Sequence, residues 1–280
     1  MLTEDILRAL WPHGDSKVPG LIAGIAAAAP TVFPKYGLTD DLTIAHAMAQ
    51  FSHECGAGTE MTENINYSAK RACQVWPSRF SSEADCYQKV GSSAGDPNFK
   101  IKLIDNVYGT RMDNRPGTHD GSNFIGRGLS QLTGRENYTK LGAKTGLDLI
   151  NHPDLVSSAG NALECGVADF VMCGCLAPAQ TDDVREVTHR LNGGFIGLDE
   201  RTQWLAKWKA ALGANDAHDA LWLQQSLNQL GATPPLATDG NFGPKSAAAL
   251  KAFQTAHNLP ATGASSAETI AAIEQALANA

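Results

Sequence analysis

Apolar residues recur along most of this chain at helical spacing, with few stretches of the alternation typical of strands. One stripe consists of Ile44, Ala47, Met48 and Phe51. Polar residues at 39–41 can cap a helix ahead of this stripe, and Gly56 and Gly58 interrupt the pattern after it. The pattern therefore predicts a helix that runs from this cap to about His53-Glu54.

Similar patterns predict helices throughout the first 213 residues. They lie near 3–10, 18–29, 68–76, 134–145, 161–176, 182–191 and 200–212, with a further helix opened by Asp96-Pro97. Residues 109–128 instead combine glycine and polar residues without a helical period, which is typical of a functional loop. We expect at most a short hairpin around 120–133, and therefore a mainly α fold.

The segment 214–280 contains three short helical stripes. They consist of Leu223, Leu227 and Leu230; Ala247, Leu250 and Phe253; and Ile270, Ile273 and Leu277. Gly231 can end the first helix, Pro244 can open the second, and Ser265 or Ser266 can cap the third. Turn-forming residues fill 238–244. This pattern predicts a small three-helix bundle.

Composition limits the classes of protein that fit. The 280 residues, 43% of them hydrophobic and 18% charged, suit one large or two unequal globular domains. A net charge of −7 disfavours nucleic acid as a partner. The longest apolar run, residues 21–29, is short of the ~20 residues that cross a bilayer, so we expect no stable membrane insertion. The residues ahead of it lack the positive charge of a signal peptide, which predicts synthesis in the cytoplasm and export by another route.

The six cysteines are too sparse for a disulfide scaffold. Cys173 and Cys175 form a C-x-C pair, which lacks the two-residue gap of a zinc knuckle and has no second pair at the usual spacing. We therefore expect buried thiols, with disulfides formed after export as the alternative.

Acidic residues near the end of the 39–54 helix are the first candidates for chemistry. His53-Glu54 could begin a zinc-protease motif, but Ala57 stands where that motif has its second histidine. Glu54, Glu60 and Glu63 lie within ten residues, where a solvated surface is the simplest interpretation. The glycine-rich turn after Glu54 nevertheless lets Glu54 and Glu63 face each other across a groove. Glycoside hydrolysis needs such a pair, at about 6.5–9.5 Å when the enzyme inverts.

A second cluster lies at residues 126–138. Its glycines lack the spacing of a phosphate-binding loop. If residues 130–133 are extended, Gln131 and Thr133 share one face, with Asn137 on the turn that follows. Such neutral hydrogen-bonding side chains suit the hydroxyl and acetamido groups of sugars.

Together the two clusters resemble glycoside hydrolase family 19, the chitinase-like family that also supplies bacteriophage endolysins. The segments that carry the resemblance are His53-Glu54 with Gly56 and Gly58, Glu63 to Ala69, Phe124 to Tyr138, and Leu191 to Gly194 followed by Arg201. The resemblance implies a two-lobed, mainly α, lysozyme-like catalytic domain. It further implies that Glu54 is the general acid, Glu63 is the general base and Thr133 helps to hold the attacking water.

The same resemblance implies a set of substrate-binding residues. They are His53, Tyr67, Trp76, Gln131, Asn137, Asn192 and Arg201. A structural ion pair is the alternative for Arg201, and core packing is the alternative for Tyr67 and Trp76. Cys55 departs from the serine or threonine common at that position, and Glu60 lies close enough to compete with Glu63 as the base.

The C-terminal segment resembles the three-helix peptidoglycan-binding domain of many wall hydrolases. The matching segments are Leu223 to Gly231, Asp239 to Pro244, Ala248 to Gln254 and Leu259 to Gly263. We therefore expect a catalytic domain at 1–213 and a binding domain at 219–280.

These observations predict a peptidoglycan-degrading endolysin that cuts β-1,4 bonds between N-acetylated amino sugars by an inverting acid–base mechanism. It would act as a monomer on wall glycan strands, without metal or cofactor, in the periplasm or cell wall after release. A chitinase, a muralytic effector delivered by a secretion system and a wall-binding protein without activity are the alternatives.

Overall fold

The computed structural model describes residues 2–213, 220–240 and 242–279. Helices dominate this part of the chain, and no named strand occurs in it. The α-helices are α1 Glu4–Leu10, α2 Leu21–Lys35, α3 Asp41–Glu54, α4 Ala69–Val75, α5 Glu83–Lys89, α6 Phe99–Tyr108, α7 Asp120–Asn123, α8 Arg135–Thr145, α9 Ala162–Met172, α10 Leu176–Gln180, α11 Val184–Asn192, α12 Leu198–Leu212, α13 Ala220–Gln229, α14 Pro244–Ala256 and α15 Ala267–Ala278. A 3-10 helix, η1, spans Pro153–Ser157. The prediction of a mainly α fold is confirmed.

Polar side chains fix where many of these helices begin. The hydroxyls of Thr3, Ser68 and Ser82 each accept a hydrogen bond from the backbone N–H three residues further on. Ser266 does the same for α15, which confirms one of the two caps predicted there. Each such bond satisfies one of the backbone donors that a helix leaves unpaired in its first turn.

The chain divides into two compact units that are not continuous in sequence. The first unit comprises Leu2–Val32 and Phe51–Met172, and the second comprises Phe33–Gln50 and Cys173–Ala280. The predicted boundary between catalytic and binding domains falls on residues 214–219, which lie outside the described residues, so this boundary stays a prediction.

The first unit contains a core around α4, α5 and α6. Its buried members are Ala69, Ala72, Phe80, Cys86, Val90, Phe99, Leu103 and Val107. The aromatic rings of Tyr67, Trp76 and Tyr108 pack against this core and are half-buried. Two of the predicted substrate-binding residues, Tyr67 and Trp76, therefore lie against this core.

The C-terminal bundle in the second unit has its own core. Leu223 and Leu227 of α13, Leu250 and Phe253 of α14, and Ile273 of α15 are buried together with Leu236. All three predicted stripes contribute to it. The three-helix bundle predicted from those stripes is confirmed.

Buried cysteines carry thiols in this fold. Burial raises the pKa of Cys55 and that of Cys165 each to about 12, so both stay protonated at neutral pH. Such a thiol packs as a small hydrophobic group rather than acting as a nucleophile.

Candidate active site

Glu63 lies on a short segment that pairs with the glycine-rich loop. Its backbone N–H donates to the Gly126 carbonyl at 2.8 Å, and the Gly128 N–H donates to the Met61 carbonyl at 2.9 Å. Residue 127 forms antiparallel bridges with Thr62 on one side and Leu132 on the other. Backbone bonds thus hold the Glu63 segment directly beside residues 126–134.

Both oxygens of the Glu63 carboxylate accept hydrogen bonds. The Tyr108 hydroxyl donates to Oε1 at 3.1 Å, and the Gly126 N–H donates to Oε2 at 3.2 Å. Burial and the negative charge of Glu63 raise the pKa of Tyr108 above its ordinary value, so the phenol remains a donor at neutral pH. The Tyr108 hydroxyl, from helix α6, and the Gly126 backbone N–H therefore fix the orientation of this carboxylate.

Gly126 is the point at which three of the predicted site residues meet. A Cβ at this position would lie 2.9 Å from Gln131 Oε1, 3.4 Å from Thr133 Oγ1 and 3.5 Å from Glu63 Cβ. A side chain here would displace the Gln131 amide. The backbone at Gly126 therefore passes between these three side chains, and glycine leaves the Gln131 amide in place.

The segment around Gln131 is a tight turn, not the extended strand considered from the sequence. Gln131 has φ of 53°, in the left-handed region, because the chain reverses between the bridged residues Arg127 and Leu132. The turn, rather than strand alternation, is what brings Gln131 and Thr133 to the same place. Asn137 lies within α8 instead of on the turn, and its amide donates to the Thr133 carbonyl at 2.9 Å.

The Gln131 side chain connects the turn to the acidic segment. Its amide nitrogen donates to the Glu60 carbonyl at 2.7 Å and to the Gly128 carbonyl at 3.2 Å. The Thr133 hydroxyl donates to the Gln131 carbonyl at 2.9 Å. The two side chains therefore stabilise the loop as well as facing the site.

A groove of about 790 Å³ opens beside these residues. It is lined by Lys17, Val18, Thr59, Glu60, Met61, Thr62, Glu63, Asn64, Ile65, Asn66 and Gln131. Its volume is that of a small-molecule or oligosaccharide site. Amide, hydroxyl and carboxylate groups in its wall provide the donors and acceptors that a sugar needs.

Glu54 and Glu60 differ from Glu63 in their surroundings. Glu54 is the last residue of α3 and is half-buried, as is His53 beside it. The turn after it returns the chain, with the Glu60 N–H donating to the Cys55 carbonyl at 2.9 Å. Glu60 is exposed and lines the groove, whereas Glu54 is not among the lining residues. As the sequence indicated, Glu54 and Glu63 do not share a helix.

The two predicted aromatic binders pack on the core. The rings of Tyr67 and Trp76 lie 5.0 Å apart, tilted by 60°, and both contact the buried cluster around α4. This is the core packing that the sequence offered as the alternative to a sugar-binding role for these two residues. Since both rings are only half-buried, they retain surface that a ligand can reach.

Asn192 and Arg201 belong to the second unit. Asn192 is exposed at the end of α11, immediately before a left-handed Gly193. Arg201 is fully buried and donates to the Gln50 side chain and to the Ile196 carbonyl. In that unit, Arg201 ties α12 to the loop before it and to α3.

Tyr108 and the Gly126 N–H are the functional groups that sequence reasoning missed. Tyr108 closes a helix whose apolar stripe explains its neighbours, so no local pattern marks it. Its contact with Glu63, 45 positions away, is visible only in the structure.

Metal clusters and membrane-spanning helices were sought among the described residues. No three His, Cys, Asp or Glu side chains among them cluster as a metal site would require. No helix in the same ranges has both the length and the hydropathy of a membrane span.

Comparisons with known proteins indicate the family of this chain. One family model, described as chitinase class I, matches residues 22–168, and another, described as a peptidoglycan binding domain, matches residues 217–273. A glycosyl hydrolase family 19 domain-containing protein of Haemophilus influenzae is 31% identical over 206 residues, which cover 72% of this chain and 92% of that protein. Endochitinase 2 of Gossypium hirsutum is 29% identical over 136 residues, covering 47% of this chain and 37% of the cotton protein.

Among solved structures, chitinase C of Streptomyces griseus aligns with a TM-score of 0.47 and 18% identity over 75% of this chain and 92% of its own. The matched chitinase class I model and the Haemophilus relative together show the family of this chain. It belongs to glycoside hydrolase family 19, and it is a glycosidase with a peptidoglycan-binding domain at its C-terminal end.

Proposed function

We propose that the protein is an endolysin that hydrolyses β-1,4 bonds between the N-acetylated amino sugars of peptidoglycan. The observation that carries this proposal is the Glu63 carboxylate, held on both oxygens at the wall of a groove rich in sugar-binding groups. The C-terminal peptidoglycan-binding domain supports a wall glycan as substrate.

In this proposal the reaction is a single displacement with inversion. Glu54 protonates the leaving oxygen, and Glu63 takes a proton from water as that water attacks the sugar carbon. Thr133 helps to hold the water, since its side chain lies near Glu63 around Gly126. Gln131 and Asn137 bind sugar, and so do His53, Tyr67 and Trp76 of the same unit. Asn192 of the second unit is a further proposed sugar contact, whereas the fully buried Arg201 contacts Gln50 rather than sugar. No metal or cofactor takes part.

Peptidoglycan is favoured over chitin because of the attached domain. A linked binding module raises the local concentration of the catalytic domain at the wall. Chitin is the second candidate, because several similar proteins are named endochitinases. We further propose that the protein is made in a bacterial cytoplasm, reaches the wall after release and acts as a monomer.

Variants of the acidic residues test the assignment of roles. Glu54→Gln and Glu63→Gln should each lower the release of reducing ends from purified peptidoglycan by about 10²–10⁴-fold, the usual contribution of general acid–base catalysis. Glu60→Gln is the matched control, since Glu60 lines the same groove but is exposed. It should retain most activity.

The outcome separates the two candidate bases. A fully active Glu63→Gln variant together with an inactive Glu60→Gln variant would transfer the role of base to Glu60. Activity on chitin oligomers that exceeds activity on peptidoglycan would favour the chitinase alternative.

A further inference from the structure

The N-terminal segment is packed against the turn that leads to the groove. Trp11 is 1% exposed, and its indole N–H donates to the Ser52 hydroxyl at 2.8 Å. Gly14 and Gly58 approach so closely that a Cβ on Gly58 would lie 2.9 Å from the Gly14 Cα. The loop after α1 is therefore held in place beside residues 56–60.

The other end of the same loop is also fixed. Asp15 Oδ1 accepts a hydrogen bond from the Ile22 N–H at 2.9 Å, and Asp15 Oδ2 pairs with Arg8 at 3.1 Å. Residues 16–20 are thus pinned between two anchored points. Lys17 and Val18, in the middle of this loop, line the groove as a consequence.

Among the described residues that line the groove, Lys17 alone carries a positive charge. Its side chain is exposed, and it forms no ion pair with any described residue. The charged groups that face the same space are the carboxylates of Glu60 and Glu63. The groove therefore carries two negative charges and one positive charge.

This arrangement affects charged and neutral glycans differently. A carboxylate on the substrate would be repelled by Glu60 and Glu63 unless a cation in the same groove offset them. Chitin has no carboxylate. Peptidoglycan has them, on the stem peptides and, where the peptide is removed, on the lactyl group of muramic acid.

We propose that Lys17 binds a carboxylate of the wall glycan in this groove and thereby selects peptidoglycan over uncharged chitin. The proposal rests on the proposed function and names a specificity residue for it. Lys17 lies in the loop ahead of residues 22–168, the segment that matches the catalytic family model. The residue that selects the substrate is therefore outside the matched segment.

The test compares Lys17→Gln, Lys17→Arg and Lys70→Gln in the full-length protein. Lys70 is an exposed lysine of α4 in the same unit, so its variant makes the same charge change outside the groove. Initial rates are measured on intact peptidoglycan, on glycan strands stripped of peptide and on chitin hexamer, each at low and high salt.

We expect Lys17→Gln to lower kcat/KM on peptidoglycan by about two- to fivefold at low salt, the range of an exposed ion pair. The loss should shrink at high salt because exposed charges are screened. Lys17→Arg should retain the rate, Lys70→Gln should match the wild type, and the rate on chitin should be unchanged by Lys17→Gln. An effect on stripped strands identifies the lactyl carboxylate, and an effect on intact peptidoglycan alone identifies the stem peptide.

Equal losses in the Lys17 and Lys70 variants, or a loss that salt does not change, would overturn the role of Lys17. These results differ from failure of the proposed function, in which the wild type itself releases no reducing ends from peptidoglycan. If chitin turnover is too slow to measure, the salt dependence and the Lys17→Arg result decide the question.

Discussion

The Glu63 carboxylate takes its orientation from groups far away in sequence. Tyr108 on α6 and the Gly126 N–H each donate to one of its oxygens. Charge-assisted bonds of this kind are stronger than neutral ones and fix direction as well as distance. Glu63, the proposed base, is therefore oriented before substrate binds.

Tyr108→Phe should therefore reduce kcat while leaving KM nearly unchanged. The variant removes one hydrogen bond to the carboxylate but keeps the ring that packs on the core. We expect a loss of about 10- to 100-fold, because a small misplacement of a reacting group is costly. Steady-state kinetics on soluble glycan strands measure both constants.

Tyr87→Phe is the control for this variant. Tyr87 packs on the same core and its ring lies 5.0 Å from that of Phe99. It should leave both constants unchanged. An unaltered kcat in Tyr108→Phe, or an equal loss in both variants, would show that Tyr108 does not position Glu63.

At the residue scale, sequence motifs identified the groups but not their arrangement. Glu63, Gln131 and Thr133 were found by resemblance, and the structure brings them together around Gly126. Tyr108 was missed because it lies 45 positions from Glu63, and a contact between distant positions leaves no local pattern. The left-handed Gln131 was missed because glutamine gives no signal for positive φ.

At the scale of elements, helices with a clear stripe and cap were predicted well. The predicted helix from 39–41 to Glu54 corresponds to α3, Asp41–Glu54, with Asp40 Oδ1 accepting from the Thr43 N–H at 2.7 Å. Helix α5 was not predicted, since EADCYQK carries one buried residue, Cys86, and no stripe. Its Ser82 cap and first-turn acids were the available signal. Short elements depend on tertiary packing, which the sequence pattern does not contain.

Two buried glutamines hold the loops of the C-terminal bundle. Gln224 Oε1 accepts from the Gly240 N–H at 2.9 Å, and Gln254 Oε1 accepts from the Gly263 N–H at 2.8 Å. Both side chains are almost fully buried, and both glycines have positive φ. The two loops of the bundle are thus fastened in the same way.

Gln224→Ala should destabilise this bundle and weaken wall binding. It removes the bonds of the buried Gln224 side chain to the Gly240 N–H, Asp239 and Ser246. Ser246 is buried, and a buried polar group that loses its partner costs roughly 1–3 kcal/mol, a large share of the stability of so small a domain. Gln225→Ala, at the exposed neighbouring position, is the matched control.

Thermal unfolding and sedimentation with purified cell walls measure the two effects. Gln225→Ala should stay within about 0.5 kcal/mol of the wild type. Equal stability of the two variants would contradict the role given to Gln224.

An acidic residue links three segments of the second unit. Asp182 Oδ1 lies 2.8 Å from His46 Nε2 on α3, and Asp182 Oδ2 lies 2.6 Å from Lys209 Nζ on α12. Burial alone would raise the pKa of Asp182, but the bonds to His46 and Lys209 outweigh it and lower the pKa. The ionised form is therefore the one that stabilises the folded unit.

Because the folded pKa is lowered, this stabilisation is present above the ordinary Asp value and is lost as the pH falls through the folded value. Asp182→Asn should lower the unfolding free energy at neutral pH by roughly 1–3 kcal/mol. The difference from the wild type should shrink as the pH falls below about 4. Chemical denaturation at pH 7 and pH 3 measures this change, and a difference that stays constant with pH would contradict the assignment.

At the scale of the whole molecule, the distribution of charge limits how the protein reaches its substrate. The net charge of −7 divides into −4 for residues 1–213 (20 basic, 24 acidic) and −3 for residues 214–280 (two basic, five acidic). Neither part is a basic surface that a negatively charged wall would attract. We therefore expect wall binding to come from hydrogen bonds and shape, together with the proposed contact of Lys17.

In the proposed function, water is added across a glycosidic bond of peptidoglycan. Digestion of purified peptidoglycan in ¹⁸O-labelled water, followed by mass spectrometry of the soluble fragments, tests it most directly. We expect one ¹⁸O atom at each new reducing amino sugar, together with intact stem peptides. Anhydro sugar ends, or cleaved peptides on uncut glycan strands, would contradict it.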